Sequence, residues 1–242
     1  MSNKSVKANS IRRRVIYFVV IFALIPFTIS LSIRFADRRA YLTSFFIIIY
    51  ALIMFISNFE RKKPQARELM VLAVMSALAV ASRAAFIWLP HFKPMCGIII
   101  ITGFALGASS GFLCGAVSAF VSNFIFGQGL WTPWQMFAYG LAGFISGILY
   151  NKHWLKKNKY FLSTYGAVLV ILLVGPILDT CALFTLSSIV NREAALAIYA
   201  SGLPVNLIHA LATFFTILLA AEPLISKLER LKEKYGLMEA VN

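Results

Sequence analysis

Residues 67–83, RELMVLAVMSALAVASR, place an Arg–Glu pair ahead of an unbroken run of apolar and small residues and set one arginine, Arg83, at its far end. The apolar character continues to about residue 89, and at about 1.5 Å of rise per residue a helix of that length covers the ~30 Å hydrocarbon core of a bilayer. Between Glu68 and Arg83 no charged residue occurs, so the helix has no face suited to water. Ala73, Ala77 and Ala81 recur at four-residue spacing and share one face. The stretch reads as a membrane-spanning helix with a smooth stripe along one side.

The rest of the chain has the same character. With 60% apolar, 14% aromatic and only 13% charged residues, composition excludes a soluble domain and gives an all-α integral membrane protein. Eight apolar segments are candidates to span, at about 15–33, 40–57, 68–89, 97–107, 110–126, 133–150, 161–186 and 203–225. The short fourth segment and the fifth are separated by Gly107 to Gly111 and read as a helical hairpin. A net charge of +14 would suggest nucleic acid in a soluble protein, but here Lys and Arg collect in short segments between apolar runs. No nucleic-acid partner is expected.

Basic residues at the N-terminus, at 61–67, at 152–159 and at 227–234 fall on one side if the segments alternate, which makes that side, and both termini, cytoplasmic. Arg34, Arg38 and Arg39 dissent from this count and weaken the placement of the first two segments. The N-terminal stretch MSNKSVKANSIRRR reads as retained, since no small-residue cleavage signature follows its apolar run. The first two segments are rich in Ile, Phe and Val, whereas the later six abound in the small residues that let helices pack closely in lipid. The expected organisation is a two-helix module at 1–65, a six-helix membrane domain at 66–236 and a short tail at 237–242. Gly103, Gly107, Gly111 and Gly115, with Gly143 and Gly147, read as internal helix packing.

Phosphate loops, zinc-protease motifs and nucleophile elbows are all missing, so this chain has no means of its own to hydrolyse ATP, and no cofactor or metal is expected. Cys96, Cys114 and Cys181 fit neither a zinc site nor a disulfide framework. Polar residues inside the spans are more telling, because each is costly in hydrocarbon. Arg83 lies about 24 Å and Asp179 about 27 Å from the cytoplasmic starts of their segments. Asn123, Gln135, Asn206 and His209 reach the same outer third, with Tyr139 one turn from Gln135. The segment 127–140, GQGLWTPWQMFAYG, contributes Gln128, Trp131 and Trp134 nearby, while Trp88 closes the third segment and Lys93 comes from the outer loop after it. Together these suggest an outward-facing polar cavity roofed by Trp88, Trp131 and Trp134. Blander readings stay open: an Arg83–Asp179 ion pair, an interhelical bond for His209, end caps for Asn123 and Gln135, and interfacial anchoring for each Trp.

Over about 66–236 the chain resembles the substrate-capturing S component of energy-coupling factor (ECF) transporters, a vitamin uptake family. The resemblance rests on RELMVLAVMSALAVASR, HFKPMCGIIIITG, FGQGLWTPWQMFAYGLAG and PVNLIHALATFFTILL in that order. It implies a six-helix bundle, preceded here by two additional helices, that binds a vitamin at its outer end. It also implies partnership with a transmembrane coupling subunit and two ATPase subunits, with Ala73, Ala77 and Ala81 as the docking stripe. FKP followed by GQGLWTPWQM is similar to members assigned to cobalamin or related corrinoids, which makes a corrinoid the expected ligand. Riboflavin, pantothenate, pyridoxine relatives and queuosine precursors are alternatives. Two other classes compete: an ion-coupled secondary transporter using Asp179, Arg83 and His209 as a relay, and an intramembrane enzyme with His209 as base and Asp179 as its orienter.

Overall fold

The computed structural model describes residues 66–187 and 191–236, together with Val15, Val19, Leu24, Phe27, Phe46 and Tyr50. The two expected N-terminal spans, the loop holding Arg34, Arg38 and Arg39, and the tail beyond residue 236 lie outside the continuously described residues. Among the continuously described residues six helices follow one another: α1 (Ala66–Ala85), α2 (Met95–Leu106), α3 (Ala108–Phe126), α4 (Trp131–Asn151), α5 (Lys159–Leu186) and α6 (Arg192–Tyr235). No strand occurs among the described residues. The helices α1, α3, α5 and α6 are long and apolar enough to cross a membrane. The 21-residue α4 matches them in length, and its Gln, Ser and Gly residues are mostly buried, where neighbouring helices rather than lipid surround them.

Helix α2 holds the centre. All of its residues are buried, and it is in contact with α1, α3, α4 and α6. A helix that is apolar all round belongs in an interior, which explains why the run Ile98 to Ile101 shows no polar face. Its length, about 18 Å at helical rise, falls short of a full span. Gly107, at φ 90°, turns the chain directly into α3, a left-handed conformation that glycine adopts without penalty.

The α3–α4 pair is the most extensive contact in the bundle. Here the expected glycine packing is visible: a methyl group on Gly111 would fall 2.7 Å from the Gly143 carbonyl carbon and 2.8 Å from the Gly103 Cα. Three backbones therefore meet where no side chain intervenes. In hydrocarbon such close approach supplies dispersion contact that water exclusion cannot supply.

Three prolines lie in the remaining helices. Asn158 caps α5, its side chain accepting from the Tyr160 and Phe161 amides. Pro176 brings no amide hydrogen to the helix and crowds the carbonyl four residues earlier. The turn before it, Val170–Val174, widens into a π-helix, with the Gly175 amide bonded to the Val170 carbonyl. Helix α6 runs for 44 residues through Pro204 and Pro223. The outer loop expected at 187–202 is thereby corrected, because α6 begins at Arg192. Asn191 caps it by accepting from the Ala194 amide at 2.7 Å. Hydropathy misses this start since Arg192 and Glu193 interrupt the apolar run, whereas helix propensity and the Asn cap carry it.

Of the described residues before α1, Tyr50 is buried and Leu24 half-buried against a cluster of Phe112, Ala116, Trp134, Phe137, Leu141, Phe144 and Cys181. That cluster belongs to α3, α4 and α5.

Candidate functional site

Arg83, at the end of α1, is buried and donates from Nη1 to Ser122 Oγ at 2.6 Å and Asn123 Oδ1 at 3.0 Å. Its guanidinium lies 4.2 Å from the centre of the Phe126 ring, an arrangement that shields the charge from lipid. Asn123 in turn donates to Gln135 Oε1 and Thr132 Oγ1, both at 2.9 Å. Thr132 passes the chain on, donating to Gln128 Oε1 at 2.8 Å. The end of α1, the end of α3 and the start of α4 are thus fastened by one polar relay. Thr132 went unnoticed in the sequence, although its place between Asn123 and Gln128 makes it the knot of the relay.

A second polar pair fastens α5 to α6. Asn206 Nδ2 donates to Asp179 Oδ2 at 2.8 Å. Space for it comes from two glycines that the sequence reading passed over. A methyl group on Gly175 would stand 2.6 Å from the Asn206 side chain, and one on Gly202 would stand 2.7 Å from the Asp179 carboxylate carbon. The possible Arg83–Asp179 ion pair is not formed, because each partner is engaged elsewhere.

Between these two clamps lies a cleft of about 300 Å³. Lys93, Trp131, Gln135, Asp179, Asn206 and His209 all line it, joined by His91, Cys181 and Thr185, which were not foreseen. Burial, and next the nearby Arg83 charge, lower the Lys93 ammonium to about 8. His91 adopts φ 62° in the loop that carries Lys93. Behind the cleft, His209 and Tyr139 meet edge to face with ring centres 5.8 Å apart. Among the described residues Arg83 Nε, the Tyr139 hydroxyl, His209 Nε2 and Thr213 Oγ1 are buried without a hydrogen-bond partner from the protein. Buried polar atoms are otherwise nearly always paired, so these are the groups with bonding capacity to spare.

The aromatic roof needs correction. Of the three tryptophans, Trp131 alone lines the cleft, its indole N–H donating to the Gly127 carbonyl at 3.3 Å. Trp88 is 71% exposed, donates to the Ala85 carbonyl and stacks on Phe86. Trp134 is 1% exposed and packs beside Phe184 in the cluster that receives Tyr50. Trp131 and Trp134 are three positions apart on α4, yet the first lines the cleft and the second packs in the cluster that holds Tyr50. Gln128 is exposed beyond the cleft, bonding to the Phe120 carbonyl and to Thr132. On α1, Ala73, Ala77 and Ala81 are all exposed among the described residues.

No group of His, Cys, Asp and Glu side chains suited to a metal occurs among the described residues. Comparison with curated proteins and with solved structures gives no significant match. Comparison with family models does: the family described as ECF-type riboflavin transporter, S component, matches residues 63–230, more than half of the chain. The six-helix region from α1 into α6, with its cleft and both of its polar clamps, lies inside that match. The chain therefore belongs to the S components of ECF-type transporters, in the family named for riboflavin.

Proposed function

We propose that this subunit captures riboflavin from outside the cell at the cleft between α4, α5 and α6. An S component is the substrate-binding subunit of an ECF transporter and works with a membrane coupling component and ATPase subunits. The family description carries the choice of vitamin. The cleft supports it: about 300 Å³ lies at the small end of ligand pockets and suits a flat bicyclic or tricyclic ring better than a corrinoid. Trp131 offers such a ring an aromatic face, while Lys93, Gln135 and Asn206 offer donors to carbonyl and hydroxyl groups. Outward capture follows from the basic loops, which assign the opposite end of the bundle, with both termini, to the cytoplasm. The exposed Ala73, Ala77 and Ala81 form the stripe on which the coupling subunit docks.

The competing mechanisms find little support. An ion relay through Arg83, Asp179 and His209 needs these groups in sequence, but Asp179 is engaged by Asn206 and Arg83 by α3. The same engagement deprives His209 of Asp179 as an orienting partner for base catalysis. The tests are flavin fluorescence of riboflavin titrated with the purified full chain, and calorimetric titration of the same protein with riboflavin, cobalamin, pantothenate and pyridoxine in turn. Stoichiometric quenching by the protein is expected for riboflavin alone. Binding of cobalamin without riboflavin would overturn the vitamin assigned, and binding of none would overturn the capture reading itself.

A further inference from the structure

At the far end of α1 from Arg83, the described surface opens into a groove of about 580 Å³ between α1 and the C-terminal half of α6. Its walls are apolar, and Met70, Val74 and Leu78 are exposed along it at 65%, 60% and 40%. Its charged lining residues are Arg67 and Lys227, and no acidic residue is among those that line it. The Arg67 guanidinium is held over the Tyr235 ring at 5.1 Å. Cationic heads therefore stand at the basic end of the bundle, and hydrocarbon side chains continue from them toward its middle.

The dimensions narrow the choice of occupant. From Arg67 to Leu78 the groove descends about 16 Å at helical rise, half of a ~30 Å hydrocarbon core. A lipid tail ends at the midplane, as this groove does. The N-terminal module, where it is described, packs through Leu24 and Tyr50 on the α3, α4 and α5 cluster instead. We propose that the groove seats an anionic phospholipid, one acyl chain along Met70, Val74 and Leu78 and the phosphate between Arg67 and Lys227. Basic pockets between membrane helices bind anionic headgroups by this combination of charge and apolar floor.

The experiment is native mass spectrometry of the purified full chain delipidated in detergent and then mixed with equal dioleoyl phosphatidylglycerol and dioleoyl phosphatidylcholine. Two cations, each contributing about a fivefold preference, give an expected phosphatidylglycerol preference of about twenty-fivefold. R67Q/K227Q should abolish that preference, K152Q/K156Q in a different basic loop should keep it, and Leu78→Trp should displace both lipids by filling the floor. Riboflavin binding and circular dichroism of each variant show that the fold is intact. Equal retention of the two lipids by the wild type, or an unchanged preference in R67Q/K227Q, overturns the proposal. Failure to retain either lipid overturns it in favour of a segment of residues 1–65 in the groove. Loss of assembly with the coupling module in Leu78→Trp, with lipid retention unchanged, overturns it in favour of a protein partner.

Discussion

Asn206 donates a 2.8 Å hydrogen bond to the Asp179 carboxylate across the α5–α6 contact, while Arg83 is taken up by Ser122 and Asn123 of α3. Opposite charges in one bundle have thus been satisfied by neutral amides and a hydroxyl rather than by each other. A double-mutant cycle reads this directly. Asp179→Ala with Asn206→Ala should show a coupling of about 1–2 kcal/mol. Asp179→Ala with Arg83→Ala should be additive within about 0.5 kcal/mol. Unfolding in mixed micelles is the measurement, and a large second coupling would mean that the ion pair forms after all.

Replacement of the tryptophans separates their roles. Trp131→Ala should weaken riboflavin binding by about tenfold, the loss of one aromatic contact of ~1.5 kcal/mol. Trp88→Ala should leave it within about twofold, because that ring is exposed and bonded to the Ala85 carbonyl at the end of α1. Trp134→Ala should lower stability by about 3–5 kcal/mol through the cavity it leaves. Fluorescence titration and thermal unfolding distinguish the three outcomes.

Ala77→Leu should leave riboflavin affinity unchanged and abolish ATP-driven uptake in vesicles that contain the coupling and ATPase subunits. A branched side chain on the exposed stripe holds two helices apart where small residues let them approach. A fall in affinity instead would place the stripe inside the bundle.

Lys93 gives stability a pH dependence of predictable sign. Its ammonium titrates at about 8 in the fold and near 10.4 in the unfolded chain. Between those values the unfolded state holds more protons, so stability rises with pH, by about 1 kcal/mol per unit. Below about pH 8 both states carry the charge and the slope vanishes. The difference in unfolding free energy between wild type and Lys93→Met, followed from pH 7 to 10, should show this rise. A flat difference would mean that the ammonium is solvated.

Depth was legible in the sequence, and azimuth was not. Counting residues from the basic loops sets Gln135, Asp179, Asn206 and His209 at one level, and all four line one cleft. Depth is additive in residue number, so it survives ignorance of packing. Which way a residue faces around its helix depends on where the neighbours stand, and Trp131 and Trp134 point to different surroundings for that reason. The polar partners were hidden likewise, since Thr132, Gly175 and Gly202 acquire meaning only once α3–α4 and α5–α6 are brought together. The early start of α6 was obscured because Arg192 and Glu193 depress hydropathy without opposing helix formation.

Helix α2 is too short to cross the bilayer and too enclosed to touch it. It therefore cannot span by itself, and Gly107 delivers it together with α3. Its full burial is completed only when α4 and α6 have left the ribosome. The amino acids from Met95 to Leu106 thus set an order of maturation, in which the centre of the molecule is threaded early and closed last.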